Sequence, residues 1–217
     1  MVSTEAAGRA RVVVLISGRG SNMLALHDAT RDPSYPAEIV GVASDKDDAP
    51  GIALANERGL ETAIVPRAAF ASKVEHEAAL SERLAAWKPD WIALAGYMRI
   101  LSPLFLDRWR DLVLNIHPSL LPSFPGLDTH RRALDAGVRI HGCTVHVVTP
   151  GVDEGPIIAQ AALAVRPDDD ETALASRVLE LEHGLYAQAL ADIVTGRARM
   201  HDGRCVRDTT GALIQAE

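Results

Sequence analysis

Strand-like and helix-like segments alternate regularly over residues 11–116, and this alternation constrains the fold more than any other feature of the sequence. The strand-like segments read RVVVLIS (11–17), AEIVGVAS (37–44), ETAIVP (61–66), DWIALAG (90–96) and LVLNI (112–116). The segments between them favour helices and cover residues 22–30, 50–59, 71–87 and 103–110. Strands without a polar face are buried on both sides, and strands joined by helices form parallel sheets with right-handed crossovers. The first half therefore predicts a doubly wound, mostly parallel α/β sheet.

The second half of the chain changes character. The segments GVRIHGCTVHVV (137–148) and GPIIAQAALAV (155–165) alternate more openly, which predicts an antiparallel or mixed extension of the sheet. A long amphipathic helix is expected over 171–194, followed by a hairpin with an Asp-Gly turn at 202–203. Because we find no repeat, linker or low-complexity tract, we predict a single domain over 11–196. Residues 1–10 would form an N-terminal extension, and residues 197–217 a tail.

Charge and composition exclude several classes of function. A formal net charge of −7 is unsuited to non-specific nucleic-acid binding, which usually needs a basic face. No apolar run of about 18 residues predicts a membrane span, and the N-terminus lacks the features of a secretory signal. Cys143 and Cys205 are too few for a disulfide framework and lack zinc-ligand spacing. We therefore expect a cytoplasmic protein without a metal site.

A glycine-rich turn follows the first strand and reads SGRGSN (17–22). Glycines let a ligand approach the backbone, and the N–H groups at a helix start can bind phosphate. The turn matches neither the Walker pattern nor the dinucleotide pattern GxGxxG. An equally simple alternative is a tight turn in which Ser21 or Asn22 caps the helix.

Asn115 and His117 end the fifth predicted strand, at the sheet edge where open parallel sheets bind ligands. Neither a nucleophile elbow GxSxG nor a zinc motif HExxH is present. An amide can stabilise an oxyanion and an imidazole can move protons, so the pair suits attack on a carbonyl without a covalent intermediate. The alternative is a capped loop with a structural histidine. Asp153 or Glu154 could supply the carboxylate partner, and spacing does not choose between them.

Five segments together resemble the phosphoribosylglycinamide (GAR) formyltransferases, the folate-dependent enzymes of purine synthesis, from about Val12 to Val194. They read VVVLISGRGSNM, LAGYMRILSP, LNIHPSLLPSFPGLDTHRRAL, HGCTVHVVTPGVDEGPIIAQ and LEHGLY, in that order. The NIHPSLLP segment marks a wider formyltransferase superfamily, whereas SGRGSN and GYMRILSP point to the GAR branch. The resemblance implies a Rossmann-like formyltransferase fold.

The resemblance also implies a reaction, in which the amine of GAR attacks the formyl carbon of 10-formyltetrahydrofolate. Asn115 and protonated His117 would stabilise the oxyanion, and His117 would carry the proton toward the folate nitrogen. Asp153 would raise the pKa of His117 and position a proton-carrying water. The co-substrate would be 10-formyltetrahydrofolate, and no metal would be required.

The binding residues implied by the resemblance fall into two sets. The phosphate of GAR would lie on Gly20, Ser21 and Asn22, and Glu182 would contact GAR near its amine and ribose. The formyl-folate would contact Lys73, Met98, Arg99, Ile100, Leu101, Asn115 and Asp153, with the pterin against residues 98–101.

Three positions leave the role of the side chain open. Lys73 stands where the family often has Arg, so it keeps the charge but loses the bidentate fork. Leu179 occupies a ligand-contact position that is polar in some relatives, and a Leu cannot make that contact. Arg19 would either add charge to the phosphate site or face water.

Three rival functions differ from this expectation in identifiable ways. A formyltetrahydrofolate hydrolase usually carries an extra N-terminal domain, and only residues 1–10 precede the first strand here. A methionyl-tRNA formyltransferase would add a C-terminal RNA-binding domain. A non-catalytic α/β protein would not need Asn115, His117 and Asp153 together. We therefore expect GAR and formyl-folate as partners, without nucleic acid or membrane, and leave a homodimer open.

Overall fold

A computed structural model describes residues 8–207 of the chain, so the predicted extension and tail lie partly outside the described residues. The strands are β1 Ala10–Ile16, β2 Ala37–Ser44, β3 Thr62–Ile64, β4 Trp91–Leu94, β5 Val113–His117, β6 Ile140–Val147, β7 Ile157–Ala164, β8 Ala198–His201 and β9 Arg204–Arg207. The helices are α1 Ser21–Thr30, α2 Pro50–Glu57, α3 Lys73–Ala86, α4 Pro103–Arg108, α5 Thr129–Asp135 and α6 Glu171–Val194.

The main sheet has the order β3-β2-β1-β4-β5-β6-β7. Strands β1 to β5 pair in parallel, whereas β6 and β7 add to the sheet in antiparallel fashion. The predicted doubly wound sheet with an antiparallel extension is therefore confirmed. The strand order reverses between β1 and β4, which places the loops that follow these two strands at the usual ligand-binding crevice.

The alternate residues of β1 separate two cores, one on each face of the sheet. Val12, Val14 and Ile16 pack with the residues of α1 and α6, whereas Val13 and Leu15 pack with those of α3 and α4. All five side chains are fully buried. This arrangement follows from the period of two along a strand, and full burial of each such side chain contributes about 1.5–3 kcal/mol.

Two local features differ from the sequence-based expectation. Neither Ser21 nor Asn22 caps α1, because the N-cap is Gly20 at φ 77° and no side chain accepts a hydrogen bond there. A Cβ at Gly20 would lie 2.9 Å from the Cα of Gly51, so the turn is packed too closely for a side chain. The short helix α5, which begins after Asp128, was not predicted.

The predicted hairpin with an Asp-Gly turn is confirmed as β8–β9. Asp202 and Gly203 have φ angles of 48° and 72°, as a two-residue type I′ turn requires. The buried carboxylate of Asp192 binds Arg197 at 2.9 Å and also binds Arg207, which attaches the hairpin to α6. Within residues 8–207, no helix has the length and apolar character needed to cross a membrane.

Candidate active site

The end of β5 brings Asn115 and His117 to the same edge of the sheet, two residues apart and hence on one face. His117 is only 6% exposed, and Asn115 is half-buried. The antiparallel register with β6 sets Asn115 opposite His146 and His117 opposite Thr144. Neighbouring side chains of paired strands touch, so β6 supplies one wall of the candidate site.

Asp153 is the carboxylate that faces His117. Its Oδ2 lies 3.3 Å from His117 Nδ1 and accepts a hydrogen bond of 2.8 Å from the Gly126 N–H. The backbone of Asp153 has φ 55°, which turns its side chain into the site from a short loop. Glu154, the alternative left open by spacing, is exposed. The geometry therefore separates the two acidic candidates.

His117 is held through both ring nitrogens. Its Nε2 lies 3.0 Å from the carbonyl oxygen of Phe124, and a carbonyl only accepts, so Nε2 carries a hydrogen. Its Nδ1 faces the Asp153 carboxylate, which is best satisfied when Nδ1 also carries a proton. Phe124 has φ 55°, a backbone conformation that is uncommon for a bulky residue. In this conformation its carbonyl oxygen lies next to His117 Nε2.

Two opposing effects set the pKa of His117. Burial lowers it most strongly, while the Phe124 carbonyl and the Asp153 carboxylate raise it. The net pKa lies below the ordinary histidine value. The expectation that Asp153 raises the pKa of His117 has the right sign for that contact, but desolvation of the ring outweighs it.

Asp153 is stabilised as a carboxylate. Burial alone would raise its pKa, but His146, the Gly126 N–H and His117 act in the opposite direction and lower it overall. The site therefore places an ionised carboxylate against an imidazole whose proton affinity changes readily with its surroundings.

His146 was missed from the sequence. Its Nδ1 lies 3.0 Å from the Val147 carbonyl oxygen, which only accepts, so Nδ1 carries a hydrogen. Its Nε2 is then an acceptor for Asn115 Nδ2, at 3.2 Å, and lies 3.7 Å from Asp153 Oδ1. This contact uses one amide hydrogen of Asn115 and leaves the second for a ligand oxygen. Only the strand register reveals the contact, and the sequence does not give that register.

The turn before α1 offers backbone donors to an anion. No side chain caps the first N–H groups of α1, and the helix N-terminus favours negative charge. Gly51 N–H donates to the Gly18 carbonyl at 3.0 Å, which braces the turn from the start of α2. Ser21 is half-buried, whereas Arg19 is exposed.

Asn22 and Glu182 form a buried pair between α1 and α6. The Asn22 amide donates to Glu182 Oε2 at 2.6 Å, and both residues are 7% exposed. Burial raises the pKa of Glu182, and the Asn22 hydrogen bond partly opposes this effect. Asn22 Oδ1 is buried without a hydrogen-bond partner among the described residues. The two predicted GAR contacts are thus brought together, with an acceptor left unused.

The segment after β4 divides into exposed and buried parts. Met98 and Ile100 expose 65% and 64% of their surface and form the apolar shelf. Leu101 is buried against the α3–α4 side of the core, so only its backbone is available to a ligand. Arg99 pairs with Asp45 at 2.5 Å, and Lys73 lies 3.8 Å from the buried Glu77.

Leu179 is half-buried on α6. Among residues 8–207, no three His, Cys, Asp or Glu side chains are grouped so as to hold a metal ion.

The fold and the site define an α/β protein with a doubly wound sheet, in which an amide, an imidazole and a carboxylate meet at the sheet edge. The formyl transferase family model matches residues 10–190. The chain belongs to the formyl transferase family. The resemblance to the GAR formyltransferases is likewise confirmed by the relatives below.

Among the curated relatives, the phosphoribosylglycinamide formyltransferase of Escherichia coli K12 is 41% identical over 88% of this chain and 90% of its own length. The trifunctional purine biosynthetic protein adenosine-3 of Drosophila melanogaster is 47% identical over 88% of this chain. The chain spans only 14% of that protein and 19% of its Bos taurus counterpart.

Solved structures show the same likeness. Glycinamide ribonucleotide transformylase 1 from Symbiobacterium toebii is 43% identical with a TM-score of 0.89, covering 92% of this chain and 94% of its own. A formyltetrahydrofolate deformylase from Pseudomonas syringae is 27% identical with a TM-score of 0.85, covering 93% of this chain and 66% of its own.

Proposed function

We propose that this chain transfers the formyl group of 10-formyltetrahydrofolate to the amine of GAR, giving N-formyl-GAR and tetrahydrofolate in purine biosynthesis. The observation that carries the proposal is the cluster of Asn115, His117 and Asp153 at the edge of the sheet, with His117 Nδ1 3.3 Å from Asp153. The family and the relatives named above support it. The reaction would take place in the cytoplasm and need neither a metal nor a nucleic acid.

The cluster suits attack of an amine on a formyl carbon. As the new C–N bond forms, the formyl oxygen becomes an oxyanion, and the second amide hydrogen of Asn115 donates to it. Protonated His117, held by the Asp153 carboxylate, adds positive charge beside the oxyanion. The negative charge that develops there raises the proton affinity of His117, which offsets the desolvation that lowers its pKa.

Proton transfer completes the reaction. The attacking amine must lose a proton, and the folate nitrogen must gain one before its bond to the formyl carbon breaks. His117 carries this proton, directly or through a water positioned by Asp153. No covalent enzyme intermediate is needed, which agrees with the absence of a nucleophile motif in the sequence.

The other proposed contacts fall into two groups, one for GAR and one for formyl-folate. The phosphate of GAR lies on the backbone of Gly20, Ser21 and Asn22, and Glu182 contacts the substrate near its ribose and amine. Asn22 Oδ1 is buried and has no hydrogen-bond partner within residues 8–207, so it can accept from a substrate hydroxyl or amine. The pterin lies against Met98 and Ile100 and binds the backbone of residues 98–101, with Lys73 near the folate side.

Hydrolysis of formyl-folate is the second candidate, because the deformylase described above shares the fold and 27% of the aligned sequence. Water would then replace the amine, and the GAR contacts would have no purpose. The phosphate-binding turn and the Asn22–Glu182 pair favour an acceptor that carries a phosphate and hydroxyl groups.

The test follows the consumption of 10-formyltetrahydrofolate with GAR, without an acceptor, and with free glycinamide. We expect tetrahydrofolate and formylated GAR to appear together only when GAR is present, and free glycinamide to be a much poorer acceptor. Release of formate at the same rate with and without GAR would identify a hydrolase instead.

A further inference from the structure

Asp45 is a buried carboxylate that lies outside the catalytic cluster. It directly follows β2 at the sheet edge and is 3% exposed. Its Oδ1 accepts a hydrogen bond from the Ser17 hydroxyl at 2.5 Å, and its Oδ2 lies 2.5 Å from Arg99 Nε. Nothing in the proposed chemistry uses this carboxylate, although it lies at the crevice edge of the sheet.

The hydrogen bonds of Asp45 continue into both loops at the strand-order switch. Ser17 directly follows β1 and begins the glycine-rich segment 17–22, here called the phosphate turn. Its Oγ accepts a hydrogen bond of 2.9 Å from the Met98 N–H. Its own N–H donates to the Gly96 carbonyl at 3.1 Å. A continuous path of hydrogen bonds therefore runs from the Met98 N–H through Ser17 and Asp45 to the Arg99 guanidinium.

Such a contact matters most for a segment without regular structure. Residues 97–102 lie in neither a helix nor a strand, so hydrogen bonds to their neighbours must fix their backbone. An ion pair between exposed side chains would fix the backbone of this segment only weakly. Here the carboxylate side chain is 1% exposed, and the loss of either partner would leave a buried charge incompletely satisfied.

We propose that Asp45 is a positioning residue for the formyl-folate site, which holds the backbone of residues 98–100 in the conformation that receives the pterin. It acts through Ser17 on the Met98 N–H and through the Arg99 guanidinium, without touching the substrate. The proposal rests on the function proposed above. Because the Arg99 side chain is turned toward Asp45, its charge serves the shelf backbone and not the ligand.

The test is Asp45→Asn in the full chain, with steady-state kinetics for both substrates. The amide keeps the size of the side chain but removes the charge that holds Arg99. We expect the KM for 10-formyltetrahydrofolate to rise roughly tenfold or more, with kcat and the KM for GAR changing less than about threefold. An effect confined to one substrate separates positioning from general destabilisation.

Asp192→Asn is the matched control, because Asp192 is equally buried and also binds arginines, Arg197 and Arg207, but attaches the distant hairpin. It should lower the melting temperature without raising the KM for formyl-folate. Arg99→Gln changes a half-exposed side chain and should reproduce the kinetic effect of Asp45→Asn, so it provides the test if Asp45→Asn does not fold.

The outcomes separate the two proposals. No GAR-dependent turnover by the wild-type chain would overturn the proposed function. Wild-type turnover together with an unchanged KM for formyl-folate in Asp45→Asn, or in Arg99→Gln where the first variant is unfolded, would overturn the role of Asp45 alone. An equal rise in the KM for both substrates would also overturn it.

Discussion

At the scale of single residues, the candidate site works by opposing two effects on one imidazole. Burial disfavours the charged form of His117, and the Asp153 carboxylate favours it. Because the two effects oppose each other, negative charge that develops nearby favours the protonated ring. A histidine set in this way suits a reaction that makes and then removes an oxyanion.

The variant Asp153→Asn tests this balance. Asn tolerates a positive φ as well as Asp does, so the change removes the charge and keeps the backbone. We expect the pKa of His117, already lowered by burial, to fall further, because a contribution that raises it is lost. NMR titration of the imidazole measures this shift, and an unchanged titration would contradict the pairing.

His141 is a buried histidine outside the catalytic cluster. Its Nε2 lies 3.2 Å from His130 Nδ1, and the residue is 1% exposed. Burial, with smaller effects from His130 and His117, lowers its pKa to about 4. Between that pKa and the ordinary histidine value of about 6.5, the unfolded chain binds more protons than the folded chain. Stability should therefore rise with pH through this window and fall as the pH drops toward 4.

The variant His141→Gln should make the free energy of unfolding depend less on pH in this window, by an amount on the order of 3 kcal/mol at most. Denaturant titrations at the two ends of the window measure it. His201→Gln, a change at an exposed histidine of the hairpin, is the control. An identical pH dependence in His141→Gln and the wild-type chain would contradict the account.

At the scale of elements, the sequence predicts what repeated local patterns determine. The β-branched runs and the helical periodicity place the strands and most helices, and motif likeness singles out Asn115 and His117. The sequence does not predict α5. Its seven residues are too few to show a helical period, and it follows Asp128, whose backbone is left-handed. The His146 contact with Asn115 depends on the β5–β6 register, which local propensity does not encode.

The loop that carries Asp153 passes very close to the backbone of β6 at Gly155. A Cβ on Gly155 would lie 1.7 Å from the Val147 carbonyl oxygen, a backbone atom that the sheet holds in place. Gly155→Ala should therefore displace the loop, destabilise the protein by more than about 1 kcal/mol and reduce turnover. Thermal unfolding and the formyl-transfer assay measure both effects.

Gly184→Ala is the opposite case. A Cβ there meets no atom within 4 Å, and the residue lies inside α6. Replacing a helical glycine by alanine should stabilise the protein by about 0.5–1 kcal/mol, with no loss of turnover. A destabilised Gly184→Ala or a fully stable Gly155→Ala would contradict the packing described for these elements.

At the scale of the whole molecule, the sheet lies between the two cores. The loops that follow its parallel strands lie at one edge of the sheet. Residues at or after the carboxyl ends of β1, β2, β4 and β5 lie there, namely the phosphate turn, Asp45, the shelf and the pair Asn115 and His117. Asp153 reaches His117 from the loop between β6 and β7. The strand alternation predicts that these loops share an edge, but not which atoms pair across it. The Asp45 network and the dominance of burial at His117 both depend on packing that only the folded chain supplies.

In the proposed reaction, His117 moves the proton during GAR-dependent formyl transfer. The most direct measurement is kcat for GAR-dependent formation of tetrahydrofolate by the wild-type chain and by His117→Ala, together with the affinity of each for GAR. We expect kcat to fall by roughly a hundredfold or more in His117→Ala, the usual scale for losing an acid–base group, while GAR binds almost unchanged. Turnover near the wild-type rate in His117→Ala would contradict this role of His117.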